Sequence, residues 1–283
     1  MRIKKVINNN VVSAYDKDDV EVVLMGKGIG FHKLPGQAAN EGNIEKVFRM
    51  EDQKQLYELE ELFSDTPTDH IKITIESIDY AQNILNSKLS SNIYITLSDY
   101  INAAIDRIKT GVVLENRLNA EIAQFYPTEY QAGKYVVEQI EEICGVKIPE
   151  GEIGFIAMLF VNAALGSSMP ETINITHFIQ EVLQIIKEDF GIEVNHQSEQ
   201  VIPFITHLKY LGKRLNEGNT WVSDDEDKEF YEAVYGKYKD AANCANKITA
   251  YVQKQYNVDL SEDEKMYLTI YIKRILISTL DAE

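Results

Sequence analysis

The sequence predicts a multidomain protein in which a small antiparallel β-sheet domain precedes two homologous, all-α helical-bundle domains. Two observations support this prediction. Residues 1–50 contain short β-branched runs separated by polar and glycine turns, which is typical of strands, whereas helical spacing dominates from Glu51 onward. The helical part then repeats with a period of about 110 residues, which is too long for a solenoid unit and indicates duplicated domains.

Four strands are predicted in the first fifty residues. They cover residues 3–7, 11–15, 20–25 and 44–50, and the polar run Asp16–Asp19 separates the second strand from the third. Glycines 26, 28 and 30 follow the third strand. Because glycine tolerates backbone conformations that other residues avoid, they predict a chain that turns sharply or approaches another group closely.

The rest of the chain is predicted to be helical. Leu56, Leu59 and Phe63 show the first helical spacing, and Thr66-Pro67-Thr68 ends that helix. Later helices are separated at Gly111, Pro127, Gly145–Pro149, Gly166–Pro170, Gly191, Gly218 and Asn257. The predicted organisation is a β domain (1–55), a linker helix (56–65) and helical domains at 66–169 and 170–283.

Two pairs of segments define the repeat. SDYINAAIDRIKTG (98–111) aligns with THLKYLGKRLNEG (206–218) at an offset of 107, which places Arg107 on Arg214. VKIPEGEIGFIAMLFV (146–161) aligns with VDLSEDEKMYLTIYIK (258–273) at an offset of 112. The five extra residues are predicted to lie in the acidic loop NTWVSDDEDKE.

The charge is unevenly distributed along the 283 residues, whose formal net charge is -17. Residues 1–55 contain nine Lys and Arg against eight Asp and Glu, and the remainder contains 19 against 37. Non-specific binding of nucleic acid or membrane by the whole chain is therefore disfavoured, and only the N-terminal part tolerates phosphate.

We find no apolar run of roughly 18 residues and no apolar leader, so we expect a cytoplasmic protein without membrane insertion. Cys144 and Cys244 are expected to be reduced core residues.

The opening segment has side chains that suit a polar, anionic partner. Asparagines 8–10 offer donors and acceptors for bases and riboses, lysines 4, 5, 27 and 33 offer charges for phosphate, and Phe31 offers a stacking face. His32 is a further candidate phosphate contact. These residues alone leave open the alternative of an ordinary β domain with a polar turn at Asn8–Asn10.

KKVINNN (4–10), VVLMGKGIGF (22–31) and IEKVF (44–48) follow one another in this order, and the sequence thereby resembles the BglG/SacY-type transcriptional antiterminators of bacterial sugar-utilisation operons. That family has an N-terminal co-antiterminator RNA-binding domain and two domains regulated by the sugar phosphotransferase system. The resemblance implies a homodimer that binds a hairpin in nascent leader mRNA and prevents a terminator from forming. The RNA contacts that it implies are Lys5, Asn8, Asn10, Gly26, Lys27, Gly28 and Phe31. The family often has arginine at position 27, and lysine keeps the charge without the bidentate fork.

The resemblance also implies two phosphorylatable histidines in each helical domain, served by the phosphocarrier protein and a sugar permease of the phosphotransferase system. The sequence keeps one of the four, His207, while Tyr100, Leu159 and Tyr271 occupy the other positions. Leucine cannot accept a phosphoryl group, and a phenol with an ordinary pKa near 10 is a poor acceptor. His207 lies at the edge of an apolar helical stripe. Candidate phosphate-stabilising groups are Arg214, seven residues further on, and Arg107.

We therefore expect reduced regulation by phosphorylation, and two explanations stay open for the lost histidines. Either the replacements hold the regulatory domains in an active dimer, or they were introduced deliberately to prevent phosphorylation. Two other functions also stay open: a DNA-binding activator with similar regulatory domains, which needs an N-terminal helix-turn-helix, and a phosphoacceptor module without RNA binding.

The remaining motifs predict no further chemistry. His70, His177 and His196 are expected at the surface. GKGIG lacks the GK[ST] ending of a phosphate-binding loop, and the acidic and histidine-containing segments complete no catalytic set, metal site or cofactor site. We accordingly expect a regulator that is not an enzyme.

Overall fold

A computed structural model describes residues 1–49, 52–195, 198–218 and 228–280. Residues 278–280 are described by their backbone alone. The predicted acidic loop and His196 therefore lie outside the described residues. The strands are β1 (Arg2–Asn8), β2 (Val11–Tyr15), β3 (Glu21–Met25) and β4 (Lys46–Phe48). The helices are α1 (Gln53–Asp65), α2 (Thr68–Leu85), α3 (Ile93–Lys109), α4 (Asn119–Phe125), α5 (Pro127–Cys144), α6 (Gly151–Leu165), α7 (Met169–Phe190), α8 (Val201–Asn216), α9 (Lys228–Lys237), α10 (Lys239–Tyr256) and α11 (Glu262–Leu280).

The four strands form one antiparallel sheet in the order β1-β2-β3-β4, which confirms the strands predicted from the sequence. Val11 pairs with Met25 and Tyr15 with Glu21, so β2 and β3 are in continuous register. Both faces of the sheet are covered. Because each strand alternates its side chains between the faces, Val12 and Leu24 enter one apolar cluster, and Val11 and Met25 enter the other.

Helix α1 completes the second of these clusters. Its residues Leu56, Leu59 and Phe63 are buried against the sheet, and the ring of Phe63 meets that of Phe48 edge-on at 5.5 Å. Full burial of each such side chain contributes about 1.5–3 kcal/mol. The segment predicted as a linker helix is therefore part of the core beneath the sheet. No α-helix precedes Gln53 in the described residues, so the helix-turn-helix required by the DNA-binding alternative is not found there.

The chain divides into two compact units. The first comprises Met1–Asn119 and Tyr126–Gly166, and it holds the sheet together with α1, α2, α3, α5 and α6. The second comprises Ala120–Phe125 and Ser167–Glu283, and it holds most of α4 and the helices from α7 onward. The short segment 120–125 thus groups with the second unit, although it precedes the predicted boundary; the domain limits drawn from the sequence stay predictions.

The internal repeat is visible in matching helix ends. Tyr126 and Tyr238 precede α5 and α10 with similar backbone angles (φ -130° and -118°). Gly145 and Asn257 end the same two helices in the left-handed conformation, which satisfies carbonyls at the helix terminus. The helix breaks predicted at Gly145 and Asn257 are confirmed.

Three smaller expectations have different outcomes. Cys244 is buried, but Cys144 is only half-buried, so the prediction that it is a core residue is wrong. His177 is exposed as expected. His70 is only partly exposed, because its Nδ1 lies 2.6 Å from Asn102 Oδ1 at the start of the first helical domain. Among the described residues no single helix is long and apolar enough to cross a membrane; only the successive helices α6 and α7, counted together, would pass that test.

Candidate functional site

The turn between β1 and β2 meets the loop that follows β3 at one end of the sheet. The Gly26 amide donates to the Asn10 carbonyl (3.0 Å), and the Gly28 amide donates to Asn10 Oδ1 (2.9 Å). The Gly30 amide donates to the carbonyl of Asn9 (3.0 Å). We call residues 8–10 and 26–31 the loop face. Six of the seven residues predicted to contact RNA lie on it, and Lys5 lies on the adjoining strand β1.

Gly26 and Gly28, the two glycines among the predicted RNA contacts, are required at their positions for different structural reasons. A Cβ at Gly26 would lie 1.6 Å from the Asn43 carbonyl oxygen, so this position excludes any side chain. Gly28 has a φ of +68°, which L residues rarely adopt. The close approach predicted from glycine is therefore made, at position 26, to the chain itself.

Asn9, Lys27 and Phe31 are the exposed members of the loop face. The backbone amide of Lys27 donates to Glu45 Oε1 (3.2 Å), while its side chain is exposed. Phe31 is 57% exposed, and its ring centroid lies 4.0 Å from that of His32. An exposed aromatic ring is a surface on which a nucleic acid base can stack.

Three other predicted contacts are turned toward the helices of the same unit. Asn8 Nδ2 donates to the Phe63 carbonyl (2.9 Å) and Asn10 Nδ2 to Thr68 Oγ1 (3.4 Å). Lys5 Nζ lies 3.6 Å from the buried carboxylate of Glu60. A cavity of about 530 Å³ opens beside the Asn10–Thr68 contact, with residues of the loop face on one side and the acidic and basic side chains of α2 on the other. The Asn8 and Asn10 side-chain amides, which the sequence predicts to contact RNA, thus have hydrogen-bond partners within the chain.

The first helical domain contains a buried cluster around a predicted histidine position. The Tyr100 hydroxyl donates to Glu152 Oε2 (2.6 Å), and Arg107 Nη2 donates to both Glu152 oxygens (2.9 and 2.7 Å). Glu152 is fully buried. Burial, and then the adjacent carboxylate, raise the pKa of Tyr100 above its ordinary value, so the phenol keeps its proton. The cluster ties α3 to the first turn of α6.

The second helical domain has the corresponding cluster around His207. His207 Nε2 lies 2.9 Å from Glu264 Oε2, and Arg214 Nη2 donates to the other oxygen of Glu264. Burial alone would raise the pKa of Glu264, but His207 and Arg214 outweigh it and hold that pKa below its ordinary value. His207 and Arg214 thus both contact Glu264, and this cluster links α8 to α11. The phosphate-stabilising role of Arg214 stays a prediction.

The other two replaced histidine positions do not offer a phosphoryl acceptor of the usual kind. Leu159 is buried in α6. Tyr271 on α11 packs its ring 5.6 Å from those of His207 and Phe204. An aromatic ring at 271 therefore forms part of the wall of the His207 cluster.

Glu152 and Glu264 are the members of these two clusters that the sequence predictions missed. Each lies in the first turn of a helix, where acidic residues are common because they complement the helix dipole. The available signal was the repeat, since the two glutamates coincide at the offset of 112. No group of three His, Cys, Asp or Glu side chains that could hold a metal ion occurs in the described part of the chain.

Comparison with known proteins assigns both parts of the chain. Residues 1–56 match the CAT RNA binding domain, and residues 75–163 and 180–275 each match the PRD domain. The transcription antiterminator LicT of Bacillus subtilis (strain 168) is 39% identical over 276 residues, which cover 98% of this chain and 99% of LicT. The beta-glucoside operon antiterminator of Dickeya chrysanthemi is 36% identical over 275 residues, covering 97% of this chain and 96% of that protein.

A solved structure and a third relative agree with this assignment. The crystal structure of GlcT CAT-PRDI is 37% identical and superposes with a TM-score of 0.52, covering 58% of this chain and 97% of that one. The protein GlcT of Staphylococcus aureus (strain Newman) is 33% identical over 272 residues, covering 95% of each chain. An RNA-binding β domain, two helical PRD domains and end-to-end similarity to named antiterminators occur together here, so the chain belongs to the family of transcriptional antiterminators with a CAT RNA-binding domain and two PRD domains.

Proposed function

We propose that the chain acts as a homodimer, that its loop face binds a hairpin in the nascent leader mRNA of a sugar-utilisation operon, and that binding prevents a terminator from forming. The supporting observation is the convergence of the β1–β2 turn and the loop after β3, because it gathers six of the seven expected contacts at one end of the sheet. Binding selects between two RNA folds by differential affinity and needs no chemical step.

The chemistry of the loop face suits unpaired RNA bases. Lys27 supplies a charge for phosphate, and Phe31 supplies a stacking surface. The side-chain amides of Asn8 and Asn10 would read base or ribose edges after exchanging their present partners, Phe63 and Thr68. The acidic remainder of the chain repels RNA elsewhere and so confines binding to this face.

His207 is the proposed phosphorylation site. Its phosphoryl group would come from the phosphocarrier protein of the phosphotransferase system in the cytoplasm. In that step the nitrogen–phosphorus bond of the donor phosphohistidine breaks, and a new one forms to an imidazole nitrogen of His207. Tyr100 is bound to Glu152 as a neutral phenol and Leu159 has no acceptor atom, so the first PRD domain offers none of its usual sites. The proposed protein is therefore a regulator with one phosphorylatable histidine and no catalytic activity of its own.

The RNA proposal is tested with two lysines at opposite ends of β3. Lys27 lies on the loop face, whereas Lys17 lies in the turn before the strand, and both are exposed. In gel-shift titrations with the leader hairpin of the chain's own operon, Lys27→Ala should weaken binding about tenfold and reduce the salt slope by about 1, as expected for one lost phosphate contact. Lys17→Ala removes the same charge and should change affinity less than about twofold. Equal losses in the two variants would refute the assignment of the loop face.

The phosphorylation proposal is tested by mass spectrometry. The full chain is incubated with phosphoenolpyruvate, enzyme I and the phosphocarrier protein, and phosphohistidine is located at neutral or alkaline pH. We expect a single phosphate, on His207, and none in His207→Ala. Phosphate on any other residue of the wild-type chain would contradict the proposal.

A further inference from the structure

The buried cluster of Tyr100, Arg107 and Glu152 and that of His207, Arg214 and Glu264 share one architecture but differ in the group that faces the carboxylate. In the first, the Tyr100 hydroxyl and Arg107 satisfy both oxygens of Glu152. In the second, His207 Nε2 lies 2.9 Å from Glu264 Oε2, and Arg214 Nη2 donates to the other oxygen. Both atoms of the His207–Glu264 contact are buried, and neither has another partner among the described residues. The first carboxylate is thus held by a phenol and an arginine, and the second by an imidazole and an arginine.

His207 is the member of the second cluster that phosphorylation would change. It is the proposed phosphoryl acceptor, and its contact with Glu264 is buried. A buried polar group that loses its partner is costly, so a change at the imidazole has to be accommodated by the groups around it. The Nε of Arg214 is buried and unpaired, as is the Nε of Arg107 in the first cluster, so the arginines do not distinguish the two sites.

A phosphoryl group on His207 would place a new anion next to Glu264. It would add a charge of about -1.5 to -2 and oxygens that attract guanidinium groups. Arg214, one helical heptad away on α8, is the cation that now holds Glu264. One arginine cannot fully compensate a phosphoryl group and a buried carboxylate together, and the dianionic phosphate is the stronger bidentate partner.

We propose that Glu264 is the residue through which phosphorylation of His207 is transmitted: the phosphoryl group takes Arg214 from Glu264, and the first turn of α11 is released from α8. The inference rests on the proposed phosphorylation of His207. In the first PRD domain, Tyr100 closes the equivalent tie between α3 and α6 with a group that is not phosphorylated. The duplicated domains thus have different tasks, since one is locked and the other responds to phosphate.

Hydrogen exchange of the full chain tests the release directly. After treatment with phosphoenolpyruvate, enzyme I and phosphocarrier protein, amides at 261–267 should exchange about tenfold faster or more, because a local opening exposes them. Amides at 151–157, in the first turns of α6, should be unchanged. In Glu264→Gln a neutral amide replaces the carboxylate. Phosphorylation of this variant should therefore not accelerate exchange at α11 further.

A second set of variants supplies the charge without phosphorylation. His207→Asp puts a carboxylate beside Glu264 and should accelerate exchange at 261–267 in the untreated protein. The double variant His207→Asp, Glu264→Gln should restore most of the protection. His177→Asp makes the same substitution at an exposed position of α7 and should leave α11 unaffected.

The outcomes separate this inference from the proposed function. Phosphate found on His207 with unchanged exchange at α11 would overturn the inference, and so would equal acceleration by phosphate in wild type and Glu264→Gln. Absence of phosphate on His207 would instead refute the phosphorylation proposal. In that case the His207→Asp variants still decide whether Glu264 transmits a negative charge at position 207.

Discussion

Tyr100→Phe should destabilise the first helical domain by removing one buried donor. The substitution deletes the hydroxyl that donates to Glu152 Oε2 at 2.6 Å and keeps the ring. Glu152 is fully buried, so water does not replace the lost donor, and Arg107 remains as its partner. The variant therefore isolates a single charge-assisted hydrogen bond between α3 and α6.

The expected magnitude follows from the type of bond. A hydrogen bond to a charged group contributes about 1.5–3 kcal/mol, and we expect a loss near the middle of that range, about 2 kcal/mol. In a cooperative unit of roughly 150–250 residues, 1 kcal/mol changes the melting temperature by about 2–4 °C. Tyr100→Phe should accordingly lower the melting temperature of the first unit by about 4–8 °C.

Differential scanning calorimetry of the full chain measures this loss, with Tyr80→Phe as the matched control. The Tyr80 hydroxyl accepts one hydrogen bond from Gln131 (3.0 Å) at the surface, so its removal should cost less than about 0.5 kcal/mol. A Tyr100→Phe variant whose melting temperature equals that of Tyr80→Phe would show that the buried bond makes no net contribution. The interpretation that the Tyr100–Glu152 hydrogen bond holds α3 and α6 together would then be wrong.

The same variant should also change the response to alkali. The folded state raises the pKa of Tyr100, so this group's contribution to stability is complete below the unfolded-state value near 10 and is lost as the pH rises above it. Tyr100→Phe lacks that ionisation. The difference in unfolding free energy between wild type and variant should therefore shrink above about pH 10.

Three further outcomes are expected. Gly26→Ala should destabilise the sheet by about 3 kcal/mol or more in urea unfolding, because its Cβ would lie 1.6 Å from the Asn43 carbonyl oxygen. Gly42→Ala is the control. Its Cβ would meet its nearest neighbour at 3.5 Å, so it should cost less than about 1 kcal/mol. The folded state lowers the pKa of Glu264, so its stabilising contribution should be present above the unfolded-state value and be lost as the pH falls through the folded one; Glu264→Gln should flatten this acid limb in urea titrations. After treatment with the phosphocarrier cascade, Tyr100→His should carry one phosphate more than the wild-type chain, as a second phosphohistidine seen in the intact mass. The same number of phosphates in both proteins would count against equivalence of the two clusters.

The sequence could predict the strands and helix limits because those depend on local chemistry. The runs that became β2 and β3 are β-branched and apolar over lengths typical of strands. Gly145 and Asn257 end their helices because each adopts the left-handed conformation that other residues avoid. These signals need no knowledge of the tertiary partner, so single residues sufficed.

The partners of the predicted site residues could not be obtained in the same way. Asn8 is bonded to a backbone carbonyl of α1, and any residue at position 63 would present one. Helical spacing showed that α1 has an apolar face, but the same spacing is compatible with an exposed linker that dimerises. The sheet beneath α1 is a tertiary contact, and the sequence contained no local signal for it.

The regulatory clusters show how far a replaced residue can be interpreted from its type alone. Tyrosine at 100 and histidine at 207 both looked like one member of an interrupted phosphorylation set, and sequence reasoning asked only whether each could accept phosphate. The structure adds that both face a buried carboxylate already held by an arginine. A phenol completes that arrangement as a neutral donor, whereas the imidazole at position 207 is the proposed phosphoryl acceptor. On the proposed mechanism, tyrosine at position 100 therefore does more than remove a modification site, because it holds α3 on α6 through a group that takes no phosphate.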